Sequence, residues 1–512
     1  MIAAALLLPA AVFAPALAAP FSLQDDYEIP LMAGAVGPPR DALTLFTESI
    51  RNDARANGRF RPLFYGLRVV QARVIGPYPF LLHLMPLALL LGSVGVLIAV
   101  GRSMRLGAWP AILLSWLVVL NPRGWEIWSM LVLQESAGIL CISVSLLAMI
   151  RGATSARRWA WDIAAAAFAI LAALAKEPFV LALPALVAAR IGADAVLGRA
   201  SLARAFKRSA PLIAVLVLVS AAELIAVLAV VTAGTYSSGL LHRSSLAAGA
   251  WRVVRYLLDS SFYLLPAACF LVAYVWKRWG KMPAVKGAAI AIGTAALVWI
   301  VPTGALQAAV GVAGMRYIFP MALGAAIANA AAFACLRARA TGHLRWVLDI
   351  AMIAWLTHCA AHCHAGTWKF AAQAQIADDA IQAVTRDVPR DGLVLLVADV
   401  AKQVEPANSM VWLIASSGRQ DIHVDVLDVA ASRPAATDED IRAMARGLLH
   451  IVRTADMGDY QSVLAAPPTN PLPATVAGAI PGGFKAINLE RRYREAFCLS
   501  PTILHTTVYV RR

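Results

Sequence analysis

Three carboxylates stand within four residues of one another, Asp25, Asp26 and Glu28, in Leu23-Gln-Asp-Asp-Tyr-Glu-Ile-Pro30, directly after the first apolar segment. Acids crowded where a chain leaves lipid lose hydration and repel one another. Such a cluster persists where a cation, a metal or a reacting proton visits. A carboxylate there can take the proton of an attacking hydroxyl, and Asp25 or Asp26 could ligate Mg²⁺ or Mn²⁺ through oxygen. A cationic set accompanies the acids. Asn57-Gly-Arg-Phe-Arg-Pro62 places Arg59 and Arg61 on alternate positions ahead of a proline, a spacing that suits either a phosphate clamp or anchoring at lipid headgroups. Glu135, in Leu133-Gln-Glu-Ser136, lies near the end of an apolar run. A charge is expensive there, so it reads as a functional residue or as an ion pair between helices. Ala175-Lys-Glu-Pro-Phe179 presents Lys176 and Glu177 together in a tight turn, with Pro178 able to start the next helix. Gly314-Met-Arg-Tyr-Ile-Phe-Pro320 puts Arg316 and Tyr317 at the mouth of another apolar run.

The elements that must hold these residues are membrane spans. Of 512 residues 60% are hydrophobic and only 15% charged, well below the share of charge in soluble domains. Apolar runs of spanning length fall at about 1–20, 79–101, 107–120, 130–150, 158–175, 178–193, 211–233, 262–276, 286–303, 318–335 and 346–362. The expectation is a polytopic α-helical membrane protein of about eleven spans. The first run also resembles a cleavable signal peptide, but it lacks a basic start, and a retained helix is expected. The formal net charge of +15 would suggest nucleic acid in a soluble protein. Here Arg102, Arg105, Arg151, Arg157, Arg158, Arg204, Lys207, Arg208, Lys277, Arg278, Arg337 and Arg345 crowd alternate short loops, as the positive-inside rule requires, so no nucleic-acid partner is expected. Those loops are assigned to the cytoplasm. An odd number of spans then leaves the acidic cluster and the C-terminus outside, in a bacterial inner membrane on the periplasmic side.

The first outer loop covers about 21–78. Within it Leu43, Phe46 and Ile50 recur at helical spacing, which predicts an amphipathic helix over 38–57, lying in the membrane interface or packed on protein. After about 363 the composition becomes that of a soluble domain. Strands are expected at 392–400, 422–429, 450–454 and 506–510, and helices near 370–387, 405–417 and 437–448. The Pro-rich 466–481 reads as a loop. The chain therefore divides into a transmembrane domain, 1–362, and a small α/β domain, 363–512. Six cysteines, at 141, 269, 335, 359, 363 and 498, show no disulfide framework. His358, His362 and His364 beside Cys359 and Cys363 could bind zinc or copper, or mark a helix leaving the membrane. Glu223 lies in an apolar run and reads as an interhelical hydrogen bond or a coupling carboxylate.

An acidic pair just after the first span resembles the polytopic glycosyltransferases of the GT-C fold, which use sugars linked to polyprenyl phosphate. The matching pieces are Gln24-Asp25-Asp26-Tyr27, Asn57-Gly-Arg-Phe-Arg-Pro62, Gln134-Glu135, Lys176-Glu177-Pro178 and Arg316-Tyr317, spread over roughly residues 1–360. The resemblance implies a mannosyltransferase- or arabinosyltransferase-like enzyme that moves a sugar to a lipid, glycan or protein acceptor. It implies that Asp25 or Asp26 is the base, with Arg59, Arg61, Lys176 and Arg316 around the leaving lipid phosphate. Glu135, Glu177 and Tyr317 would complete the binding site, and attack opposite the phosphate would invert the anomeric centre. Two other readings stay open at this point: a transporter or flippase of a lipid-linked or small substrate, and a non-catalytic membrane scaffold.

Overall fold

The structure, a computed structural model, describes residues 2–24, 26–36, 40–57, 59–122, 124–231, 251, 315–429, 450–452, 455–467, 472–498 and 500–511. Its first half is helical. In chain order come α1 (Ile2–Phe13), α2 (Glu28–Ala33), α3 (Ala42–Asn57), α4 (Pro62–Val70), α5 (Pro79–Ser103), α6 (Ala108–Val119), α7 (Trp125–Ser129), α8 (Gln134–Gly152), α9 (Arg158–Ala175), α10 (Leu183–Val196) and α11 (Leu202–Val231). Then follow α12 (Met315–Arg339) and α13 (Gly342–Asp387). Among the described residues, six helices are long and apolar enough to cross a membrane: α5, α8, α9, α11, α13 and the stretch Glu177–Val196 that ends in α10. Shorter apolar helices cover Ala3–Ala18, Ala108–Val119 and Leu323–Ala338. Length and composition thus make the chain an integral membrane protein. The expected spans 262–276 and 286–303, and the expected helix 437–448, lie outside the described residues.

Prolines set several helix starts. Pro62, Pro79 and Pro184 occupy the first turns of α4, α5 and α10, where the missing N–H has no partner to lose. Asp41 starts α3 instead, accepting the Thr44 N–H at 2.9 Å, which satisfies one of the open donors of the first turn. The face that α3 buries differs from the expected one by a small rotation. Leu45 is buried and Phe46 and Ile50 pack beside it against Phe64 and Tyr65 of α4, while Leu43 is 71% exposed. α3 therefore packs on protein.

The soluble part is a six-stranded mixed sheet in the order β3-β2-β1-β4-β6-β5. Its strands are β1 (Leu393–Ala398), β2 (His423–Asp428), β3 (His450–Val452), β4 (Ser462–Ala465), β5 (Phe484–Tyr493) and β6 (Thr502–Arg511), with helices α14 (Val400–Ser416) and α15 (Ala474–Ala479). β1 runs parallel to β2 and β4, and β6 is antiparallel to β4 and β5. Alternation along β1 divides its side chains between two cores. Val394, Leu396 and Ala398 face α13 and α14, while Leu395 and Val397 face Met457, Tyr460 and Val476. A strand buried on both faces reads as an unbroken apolar run, which is how 393–398 appears.

The composition change at 363 falls inside a helix. α13 is continuous over 46 residues, about 69 Å at 1.5 Å per residue, more than twice the thickness of a hydrocarbon core of about 30 Å. Its last turns, Ala380, Ile381 and Val384, belong to the core of the sheet. The acidic segment meets this domain directly. Asn408 Nδ2 donates to the Tyr27 hydroxyl at 3.3 Å and Ser409 Oγ to the Leu23 carbonyl at 3.1 Å. The first loop and the C-terminal domain thus lie on one side of the spans.

Candidate active site

The turn that carries the acids is held from within. The Ser22 N–H donates to Asp26 Oδ2 at 2.8 Å, and the Ile29 N–H to the Asp26 carbonyl at 3.1 Å. Asp26 is fully buried. Asp25 lies outside the described residues. Glu28, in the first turn of α2, reaches Arg68 Nε at 3.5 Å. Arg68 is itself fully buried, and its Nη1 donates to the Leu131 carbonyl at 3.2 Å.

Arg61 sits at the centre of a second set. Its Nη2 and Nε donate to Asp53 Oδ2 at 2.7 and 3.1 Å, and its Nη1 donates to Gln134 Oε1. Gln134 Nε2 in turn contacts Glu135 Oε1 at 3.4 Å, and Lys176 Nζ donates to that same oxygen. One chain of buried polar contacts therefore runs Asp53–Arg61–Gln134–Glu135–Lys176 across α3, α4, α8 and the end of α9. Burial alone would lower the pKa of Arg61, but Asp53, with Tyr65 and Glu177, holds the guanidinium well above its ordinary range. Arg61 also lies 5.0 Å from the Phe64 ring centroid, a cation–π distance. Glu177 follows Lys176 in the turn, and its Oε1 is buried with no hydrogen bond among the described residues. Gly138 on α8 makes this turn fit, because a Cβ there would collide with the ring of Phe179.

The sequence-predicted residues thus fall into groups. Arg61, Glu135 and Lys176 come together in the network, with Glu177 acting on Arg61. Arg59 is half-buried, and its N–H reaches the Asp53 carbonyl at 3.5 Å. Arg316 and Tyr317 lie in the first turn of α12. Sequence reasoning missed Asp53 and Arg68 as members. Asp53 had a signal: it follows Phe46 and Ile50 at the same helical spacing, so it belongs to the inward face of α3.

Above this network, between the first loop and the sheet domain, is a cavity of about 270 Å³ whose walls include Tyr27, Glu28, Glu48, Asp53, Tyr65 and Trp412. Carboxylates that accept hydroxyl protons beside aromatic faces suit a polyhydroxylated ring. Trp412, from α14, is the contribution of the C-terminal domain, and no sequence signal tied it to the cavity residues between Tyr27 and Tyr65. Asp26 is not on these walls. Among the described residues no three His, Cys, Asp or Glu side chains converge as a metal set, and Asp25, one of the two expected oxygen ligands, lies outside those residues. The His358 and His362 rings meet edge-on, 4.4 Å apart between centroids, and the Cys363 thiol donates to the Asn121 carbonyl. Glu223 is buried on α11, which packs beside the Glu177 turn.

No protein-family model matches the chain, and no curated protein sequence matches it significantly. Solved structures do. ArnT from Cupriavidus metallidurans in the apo state aligns over 99% of this chain and 96% of that one, at 12% identity and a TM-score of 0.53. ArnT from the same organism bound to undecaprenyl phosphate aligns over 99% and 97%, at 13% identity and a TM-score of 0.48. The archaeal oligosaccharyltransferase AglB from Archaeoglobus fulgidus, in complex with an inhibitory peptide and a dolichol-phosphate, aligns over 91% and 68%, at 13% identity and a TM-score of 0.42. The apo ArnT superposition carries the comparison, and it is a likeness of fold over nearly the whole chain.

Proposed function

Because the chain has the GT-C fold, which is that of polyprenyl-phosphate-sugar-dependent membrane glycosyltransferases, we propose that it transfers a sugar from a polyprenyl-phosphate donor to a lipid, glycan or protein acceptor. The observation that carries this reading is the cavity itself, with Trp412 on one wall and, on another, Glu28 and Asp53, which pair with the buried Arg68 and Arg61 behind them. Its acids and aromatic rings match a sugar, and its position lets the lipid tail stay in the membrane. The positive loops argue that this face is the outer, periplasmic side of a bacterial inner membrane.

In the reaction, the acceptor oxygen attacks the anomeric carbon, its proton passes to a carboxylate, and the carbon–phosphate oxygen bond breaks with its electron pair leaving on the lipid phosphate. We assign the base to Asp25. Asp26 is buried and engaged in holding the turn through Ser22, so its role is to position the segment. Arg59, Arg61, Lys176 and Arg316 are assigned to the leaving phosphate, where fixed cations stabilise developing charge. Asp53 and Glu135 keep Arg61 and Lys176 in place before substrate arrives. Attack from the face opposite the phosphate inverts the anomeric centre.

The test is transfer from a mixed polyprenyl-phosphate-sugar pool by wild type, Asp25→Asn and Asp26→Asn. Loss of a general base lowers the rate about 10²- to 10⁴-fold, and that loss is expected for Asp25→Asn. Asp26→Asn should lose less and should also unfold at lower temperature. Undiminished transfer in both variants would remove the acid pair from the mechanism.

A further inference from the structure

The β5–β6 hairpin descends along α13. Arg491 on β5 pairs with Asp379 at 2.5 Å. Two residues on, Tyr493 receives Lys369 Nζ over its ring at 5.9 Å. At the tip, the Phe497 ring stacks on His358, with centroids 5.5 Å apart and planes 12° apart, and lies 5.8 Å from His362. Each step along the hairpin meets α13 nearer its membrane-spanning part. That part is marked by Trp346, Val347, Ile350 and Ile353, all more than half exposed and apolar. A span of about 20 residues counted from Trp346 ends near residue 366. His358 and His362 then lie in its last turns, below the level of Trp368 and Lys369, the residue types that favour the interface.

Phe497 nevertheless remains 68% exposed after this contact. The exposed arginines Arg492 and Arg494 precede it, and Ile503 lies exposed just after the tip. An aromatic side chain at the depth of a spanning helix, with cations one level above, is the pattern of an element seated in a lipid leaflet. We propose that the tip of the β5–β6 hairpin is a membrane foot. Phe497 enters the acyl region of the leaflet on the side of the C-terminal domain, and Arg492 and Arg494 meet lipid phosphates. The foot fixes the sheet domain to the bilayer at a second point besides α13.

Cys498, exposed and beside Phe497, is a natural reporter. Cys141, Cys335, Cys359 and Cys363 are buried, and Cys269→Ser removes the remaining thiol. A spin label on Cys498 of the full chain, in nanodiscs of phosphatidylethanolamine and phosphatidylglycerol, is compared with labels at Ile350→Cys and Ser417→Cys in a Cys498→Ser background. The expected result is collision with oxygen at least several-fold above collision with a water-soluble nickel chelate, as at Ile350→Cys. The opposite ratio, as at Ser417→Cys, overturns the proposal, and protection from both reagents overturns it in favour of a protein contact. Phe497→Asp is expected to shift the Cys498 label toward the chelate, and an unchanged ratio counts against insertion. If Cys269→Ser does not fold, wild-type Cys498 should react with a charged maleimide at least several-fold more slowly in nanodiscs than in detergent. Equal rates overturn the proposal.

Discussion

Two buried charge networks sit at opposite ends of α8 and α9, and they are built differently. At the end away from the C-terminal domain, Arg158 reaches Asp194 at 2.8 Å and Asp162 at 3.4 Å, while Arg190 reaches Asp162 at 2.8 Å and Asp194 at 3.5 Å. Ser209 adds a hydrogen bond to Asp194 at 3.1 Å. Two cations meet two carboxylates, and three helices are tied by them. At the other end Arg61, Arg68 and Lys176 meet Asp53, Glu28 and Glu135, and Glu177 brings a further acid. That set lies against a cavity and takes residues from the first loop as well as from the spans. The first network is closed on itself and holds helices together. The second meets the cavity on one side, where Glu28 and Asp53 form part of the wall.

The largest effects should come from removing one member of each network, since an uncompensated buried charge costs about 3–5 kcal/mol. Arg190→Met and Lys176→Met should both lower the thermal unfolding midpoint in detergent to that extent. Only Lys176→Met should also lower transfer per folded molecule. If Arg190→Met abolished transfer by folded protein, the distinction between the two ends would be lost. The exchange Glu135→Lys with Lys176→Glu sharpens the same point. It should recover most of the stability lost in Lys176→Met while leaving transfer low, because the phosphate would meet the charges in reversed positions. Gly138→Ala tests the fit of the Lys176–Glu177 turn without altering charge. Overpacking there should cost about 1–3 kcal/mol, read as a lower unfolding midpoint, and should weaken transfer as the turn shifts. The smallest effect is expected at the exposed pair Arg40–Glu48, 2.6 Å apart at the cavity mouth. Arg40→Ala should change stability by no more than about 1 kcal/mol, so any change in KM at constant unfolding temperature would report on the cavity alone.

Much of this arrangement was legible in the sequence, and the gaps have physical causes. β1 and β2 announced themselves through apolar runs and alternation. β5 did not, because Lys485, Glu490, Arg491 and Arg492 interrupt its pattern on a sheet edge that is largely solvated. β4 is only four residues long, too short for a period to show. The acidic pair, Arg61, Glu135 and Lys176 were visible because charge beside apolar runs is costly. The contacts that link Arg61, Glu135 and Lys176 were not, since Arg61 reaches Gln134 across 73 positions and Lys176 reaches Glu135 across 41, through packing alone. Burial is likewise absent from composition. Asp25 and Asp26 look equivalent as letters, and neither the burial of Asp26 nor its contact with Ser22 can be read from them.

The unbroken course of α13 has a mechanical meaning. With no hinge between its lipid-crossing turns and the turns that seat against β1, the helix works as a rigid lever. For a shaft of about 69 Å, a tilt of about 5° swings one end by roughly 6 Å relative to the other. Helices answer a change in bilayer thickness by tilting. The far end of this one carries the sheet, and with it the wall that Trp412 lends to the cavity.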